Sequence, residues 1–337
     1  MAQPTFGKFR GLDNKNQPEN LTSLTKHEAW LTQAENVDIT AKYTVARRNG
    51  FTLKVGGDFH SLWTNASGTL SLAVKDRSLV RISPDLAMKE LLAMSHRMVS
   101  YADTGAGVYL TDNNVMVRSD GVTAVELANA GTYNWPTKTS IDNDEDHDFY
   151  SSPPPGKLVV WAFGRLWVVT DEAIYYSRPY EPNLFDLLND YCQLEKVTML
   201  VAVDDGFYIG TDSQVMFYAS GNPNEPASMR VVSNVGAISR AVVEADARDF
   251  GLKEATGRAV VWESVNGKCL GLNSGQMLEL TESHVSYGVG EIGAMLLREQ
   301  NGQRHVLSTM ANSGEVSNMR ASDRATAEIR RGGVIIT

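Results

Sequence analysis

Residues 165–177 read RLWVVTDEAIYYS, an apolar run, a polar step centred on Asp171-Glu172, and a second apolar run. Short runs of β-branched and aromatic residues on either side of a polar turn are the mark of a β-hairpin. The pattern recurs at 107–119 (GVYLTDNNVMVRS) and 206–218 (GFYIGTDSQVMFY). It recurs again at 69–82, turning at Lys75-Asp76-Arg77, and at 267–280, turning at Asn273-Ser274-Gly275. Asp, Asn and Gly tolerate the positive φ that tight hairpins demand. A further strand precedes each hairpin: His60–Thr64, Met98–Ala102, Leu158–Phe163, Met199–Val203 and Ala259–Glu263. A fourth follows two of them, Ala124–Leu127 and Met229–Val232.

Three or four antiparallel strands repeated about every 40 residues is the arithmetic of a β-propeller. The fold class is therefore all-β, with about five to six blades. A β-sandwich array of similar strand content is the alternative. A sixth unit is expected within 286–310, where two apolar runs flank Asn301-Gly302. The terminal GVIIT of 333–337 is expected to pair with an N-terminal strand and close the ring. Burial at period two and turn chemistry are expected to be the only constraints on the side chains of each hairpin.

Helix signals are sparse. Thr25 and Glu28 form a capping box ahead of Ala29, Trp30, Leu31 and Ala34, which predicts a short helix over 26–34. A second is predicted over Leu86–Met94. The domain reading is an N-terminal docking arm at 1–50 with that helix and a first strand. Propeller blades follow at 51–310, and the segment 311–337 closes the ring or docks on a neighbour.

The chain has 337 residues and a net charge of −9. A chain of this length can bury roughly 75% of its unfolded surface and needs no covalent staples. Its two cysteines, Cys192 and Cys269, are expected to be reduced core thiols. The acidic balance disfavours a sequence-specific duplex binder. No secretory h-region is present and no run reaches the ~20 apolar residues of a membrane helix, so no membrane insertion is expected.

No hydrolase elbow, zinc motif, P-loop or dinucleotide fingerprint is present, and isolated acids such as Asp103, Glu263 and Glu282 form no pattern. The expectation is a non-enzyme with no catalytic, cofactor or metal residues. The acidic run IDNDEDHD at 141–148 reads as a solvated loop rather than a calcium site, because it lacks the glycine and distal Glu of an EF-hand. SSPPPG at 151–156 reads as a stiff spacer. Lys42, Arg47 and Arg48 are the candidate phosphate contacts, with Lys8, Arg10, Arg330 and Arg331 as the other basic exceptions. Ordinary surface pairing is the commoner use of such arginines.

Two stretches carry a family resemblance. One is Phe6–Asp13 followed by Glu28-Ala29, Ala34–Ile39 and Arg47–Phe51. The other is Trp161–Val168 with Ile174–Ser177, Pro179, Pro182, Phe185 and Asp186. Both resemble tailed-bacteriophage virion proteins of the tail hub or nozzle kind, also called packaged-DNA stabilisation proteins. A weaker echo lies at Val261–Ser264 with Gly267–Cys269. Asn49 stands where that family commonly has Pro, and the chain is shorter than many relatives.

The resemblance implies a structural ring of six copies below the portal and its adaptor, part of the DNA conduit, helping to retain the packaged genome. It implies these partners: copies of itself, the head-to-tail adaptor or portal, other tail proteins, and transient non-specific contact with genomic double-stranded DNA. The location implied is the virion tail after synthesis in the host cytoplasm. Phe6, Phe9, Leu12 and Trp30 are the expected docking residues of the arm. An alternative is a receptor- or glycan-binding propeller at the tail tip. Tyr133, Trp135 and Tyr180 would serve it, although loop packing is the commoner use of such residues.

Overall fold

The computed structural model describes residues 8–17, 20–23, 28–33, 37–40, 42–47, 52–127, 150–219, 229–252, 255–281, 283–285, 290–300, 303–311, 330–331 and 334–336. The chain begins with β1 (Lys8–Leu12), β2 (Thr22–Ser23) and β3 (Glu28–Leu31), a sheet in the order β1-β3-β2. A small hairpin follows, β4 (Val37–Ile39) and β5 (Val45–Arg47). The helix expected over 26–34 is not formed at 28–31. Glu28-Ala29-Trp30-Leu31 instead runs parallel to β1, with Lys8 opposite Glu28 and Phe9 opposite Ala29. Four residues are about one helical turn, too few to offset the cost of nucleation, and the neighbouring strand satisfies their backbone groups instead.

Five runs of four antiparallel strands come next, the blades of a β-propeller fold; four are separate sheets and the fifth continues into an eight-stranded sheet. Blade 1 is β6 (Phe59–Thr64), β7 (Ser71–Lys75), β8 (Ser78–Ile82) and β9 (Met88–Ala93). Blade 2 is β10 (Ser100–Asp103), β11 (Val108–Thr111), β12 (Met116–Ser119) and β13 (Ala124–Glu126). Blade 3 is β14 (Leu158–Ala162), β15 (Arg165–Val169), β16 (Ala173–Tyr176) and β17 (Tyr191–Gln193). Blade 4 is β18 (Val197–Val203), β19 (Gly206–Thr211), β20 (Val215–Ala219) and β21 (Met229–Ser233). Blade 5 is β22 (Ala237–Asp246), β23 (Arg258–Ser264), β24 (Gly267–Gly271) and β25 (Met277–Glu279). The 3-10 turn Ala247–Phe250 lies between the first two strands of blade 5.

The second expected helix is a strand: Met88–Ala93 is β9, paired with β8 from Ser78↔Ala93 to Ile82↔Met88. Its Leu and Lys favour helix, but pairing with the blade edge overrides intrinsic propensity. No sixth blade forms from 286–310. Its residues form β26 (Ile292–Gln300) and β27 (Gln303–Ala311), a long hairpin whose first strand runs parallel to β22. The terminal strands β28 (Arg330–Arg331) and β29 (Val334–Ile336) join the same sheet. β29 pairs with β27, from Arg304↔Val334 to Val306↔Ile336, and not with an N-terminal strand.

The chain divides into two compact units. One holds residues 52–200 and 221–225, and the other holds 1–51, 201–220 and 226–337. In the first, Leu72, Val74 and Leu79 of blade 1 pack on Val108, Leu110 and Val117 of blade 2. Tyr109 and Met116 of blade 2 pack on Leu166, Val168 and Phe185 of blade 3. In the second, Val261 and Leu270 of blade 5 share a core with Ala247, Phe250 and Val306. Each such side chain contributes about 1.5–3 kcal/mol on burial.

The middle strands are covered on both faces: every residue of β11, β19 and β24 is buried. Period-two burial is therefore not what shapes them. Unbroken apolar runs such as GFYIGT are the signature of a strand buried on both sides.

Hydroxyls close the turns between second and third strands. Thr170 Oγ1 accepts from Ala173 N at 3.2 Å and donates to Ala173 O at 3.1 Å. Thr211 Oγ1 accepts from Gln214 N and donates to Gln214 O, both at 3.1 Å. Ser264 Oγ accepts from Asn266 N at 3.2 Å and donates to Gly267 O at 2.9 Å. Thr111 Oγ1 lies 2.8 Å from Val115 O. Blade 1 differs, with a two-residue turn in which Asp76 and Arg77 have φ of 48° and 66°. In the turns after Thr170 and Thr211 no residue has positive φ, so the hydroxyl does the work expected of Asp and Ser.

Candidate functional site

The expected docking arm is largely occupied within its own unit. Leu12 is buried against Val285, with Leu31 packed on the pair. Trp30 stacks on His284, ring centroids 4.7 Å apart. His284 Nδ1 lies 3.1 Å from Asp13 Oδ2, and Asn14 N donates to His284 O at 3.0 Å. Burial pushes the Asp13 carboxyl up, but bonds from Asn16, His284 and the Lys15 amide outweigh it and leave it below the ordinary value. Phe9 is half-buried and donates its N–H to Tyr43 O at 2.9 Å. Phe6 lies outside the described residues.

Of the phosphate candidates, Lys42 and Arg47 are exposed on the β4–β5 hairpin, and Arg48 lies outside the described residues. The cations brought together are Lys8 and Arg10, 5.6 Å and 5.8 Å from the centre of the Tyr43 ring. Arg10 is also paired with Glu28.

The isolated acids part company. Asp103 accepts from Gly105 N in a turn, at 2.8 Å. Glu263 is fully buried and pairs with the equally buried Lys268 at 2.5 Å, whose ammonium also donates to Ser308 Oγ at 2.9 Å. Register dictates the pair, because Glu263 and Lys268 lie directly opposite on β23 and β24. Glu282 and the acidic run 141–148 fall outside the described residues, as do Tyr133 and Trp135. Among the described residues no group of three metal-ligating side chains converges. Both cysteines are free; Cys269 is buried, while Cys192 is half-buried on the edge strand β17, where burial pushes its thiol up.

Of the glycan candidates, Tyr180 lies on the surface of blade 3. Phe163 and Gly164 form the two-residue turn between β14 and β15, with φ of 51° and 70°. Arg178-Pro179-Tyr180-Glu181 forms a second turn, closed by Glu181 N donating to Arg178 O at 3.2 Å, with Tyr180 at φ 61°. Pro followed by a residue of positive φ is a type II arrangement, in which Gly or Asn is the usual occupant. An aromatic residue there costs on the order of 1–3 kcal/mol, and so does Phe163 in its own turn.

The two turns touch. Tyr180 N donates to Gly164 O at 2.5 Å. A Cβ on Gly164 would sit 2.9 Å from Tyr180 Cε1 and 3.0 Å from Cζ, so the ring lies close against the glycine. Tyr180 is nonetheless 81% exposed and Phe163 37%. The signal in the sequence was Pro-Tyr where Pro-Gly is ordinary.

Deeper in the same loop, Tyr109 OH donates to Asn183 Oδ1 at 2.5 Å. Asp186 caps the next turn, accepting from Leu188 N at 3.0 Å and Asn189 Nδ2 at 2.8 Å. Burial raises the carboxyl of Asp190, whose Oδ2 is enclosed without a hydrogen bond. The guanidinium of Arg178 sits over the Tyr150 ring, 5.3 Å from its centre.

No family model matches the chain. No curated protein matches it either. Among solved structures it is similar to the extracellular domain of a hybrid two-component system from B. thetaiotaomicron, at 9% identity and TM-score 0.43, over 71% of this chain and 29% of that one. The chain thus spans less than a third of that protein's length. It is also similar to a gluconolactonase from Xanthomonas campestris, at 12% identity and TM-score 0.40, over 66% of this chain and 75% of that one. Virginiamycin B lyase from Staphylococcus aureus matches at 10% identity and TM-score 0.39, over 77% of this chain and 80% of that one.

Proposed function

We propose that the chain is a non-catalytic structural propeller of a tailed-phage particle, assembled as a ring of copies in the tail. The observation that supports a scaffold is where its polar groups go. Turn hydroxyls, buried acids and the Glu263–Lys268 pair are spent on closing turns and joining strands. Blades are also stitched to one another by single side chains. Ser61 Oγ accepts from Val99 N at 2.8 Å, and Ser100 Oγ accepts from Val159 N at 3.0 Å. In the other unit, Asp204 Oδ2 accepts from Arg258 N at 2.9 Å and from Asn273 Nδ2 at 3.0 Å. A rigid load-carrying part needs this economy, and a catalytic site needs the opposite, perturbed groups left facing substrate.

The assignment to a phage tail rests on the sequence resemblance around Phe9–Asp13, Val37–Ile39 and Trp161–Ser177. With Leu12 and Trp30 engaged inside the chain, docking on an adaptor or portal falls to the exposed flank of the arm around Lys8, Arg10 and Tyr43. Cross-linking mass spectrometry on purified particles tests the reading. It requires this chain at a few copies per particle, with links between copies and from residues 8–47 to a portal-proximal protein. Recovery only in the soluble fraction of the lysate would end it.

A further inference from the structure

We propose that the paired turns of blade 3 form a carbohydrate-binding platform, with the exposed ring of Tyr180 as its floor and Phe163 as its flank. The proposal is independent of particle assembly.

The geometry points to a ring held for presentation. The Tyr180 ring lies close against Gly164, and its main chain is bonded to the same residue. At 81% exposure most of the ring is in solvent. A flat aromatic surface with its rotamer fixed offers stacking area at low entropic cost. The backbone argues the same way. Both Phe163 and Tyr180 sit at positive φ, where Gly or Asn would relieve strain without loss of core packing. Observed strain at an exposed residue is a pointer to what its side chain presents.

The chemistry around the ring selects the ligand. The loop 178–190 carries Glu181, Asp186 and Asp190 against a single cation of its own, Arg178, which sits over Tyr150 and also acts on Asp186 and Asp190. Acids outnumber cations three to one in this loop, which disfavours a phosphorylated or sulfated partner. A neutral pyranose suits the site: its C–H face stacks on the tyrosine, and its hydroxyls donate to a carboxylate. Glu181, next to the platform, has a carboxylate that makes no bond among the described residues.

The test is a glycan array probed with labelled full-length chain, followed by calorimetry on the strongest neutral glycan. The expected result is binding to uncharged glycans. Y180F should keep affinity within about twofold, because the stacking face remains. Y180G should weaken it at least tenfold while its melting temperature stays level or rises, since glycine is at ease at that φ. That opposite movement separates a binding role from a structural one. Three outcomes overturn the proposal: no signal from the wild-type chain, signal confined to anionic glycans, or wild-type affinity in Y180G.

Discussion

Lys268→Met tests the buried ion pair directly. The Lys268 ammonium and the Glu263 carboxylate are 2.5 Å apart with essentially no exposure, and Ser308 is the ammonium's further bond. At an effective dielectric of 20, the gross attraction at that separation is about 6–7 kcal/mol, most of it offset by desolvation of the two charges. Methionine keeps much of the volume but removes the carboxylate's buried counter-ion from blade 5. Loss of one partner of such a pair costs about 3–5 kcal/mol. At about 2–4 °C per kcal/mol, the melting temperature should fall by roughly 6–20 °C. The double variant Glu263→Leu/Lys268→Met removes both charges and should recover to within about 1 kcal/mol of wild type, or exceed it. Urea unfolding followed by tryptophan fluorescence reads both, and the buried Trp262 beside Glu263 reports on blade 5. The reasoning fails if K268M costs less than about 1 kcal/mol, or if the double variant is as unstable as the single.

Three other outcomes follow from the same structure. Gly156→Ala would place a Cβ 2.4 Å from Val169 O and 2.7 Å from Val168 Cγ1, so denaturation should show a loss of about 1–3 kcal/mol from overpacking. Thr170→Val and Thr211→Val each open one turn; each should cost about 1 kcal/mol in urea titrations, and the pair should add. Asp190 has its carboxyl raised by burial, so ionisation disfavours the folded state above its pKa and has no such effect below the ordinary carboxylate range. Asp190→Asn should therefore melt higher than wild type at pH 7, and the gain should shrink as pH falls toward about 4; a gain independent of pH would contradict this.

The hairpins were legible because their turn residues and apolar runs are local signals. Asp112, Asp171 and Asp212 all sit in the turns between second and third strands. The fifth hairpin was read one strand out of phase. Asn273-Ser274-Gly275 lies between the third and fourth strands of blade 5, and the matching turn is Val265-Asn266, behind Ser264. The phase marker was the hydroxyl rather than the acid. Helix was assigned at 26–34 and 86–94 from capping and propensity, which tertiary pairing overrode in β3 and β9. Tyr180 was singled out from the sequence as a glycan candidate, but its contact with Gly164 across sixteen residues of chain was not legible there. The Asp13–His284 contact is farther still, spanning 271 residues, and no local pattern announces it.

The hydroxyl-closed turns have a practical consequence. Once Thr170, Thr211 or Ser264 carries the bonds that reverse the chain, the side chains of the residues beyond it are free of that duty. Those turn tips read Asp-Glu, Asp-Ser and Val-Asn with the same geometry beneath them. They are natural grafting points, where a foreign peptide could be displayed from a pre-tied knot without retuning the blade that carries it.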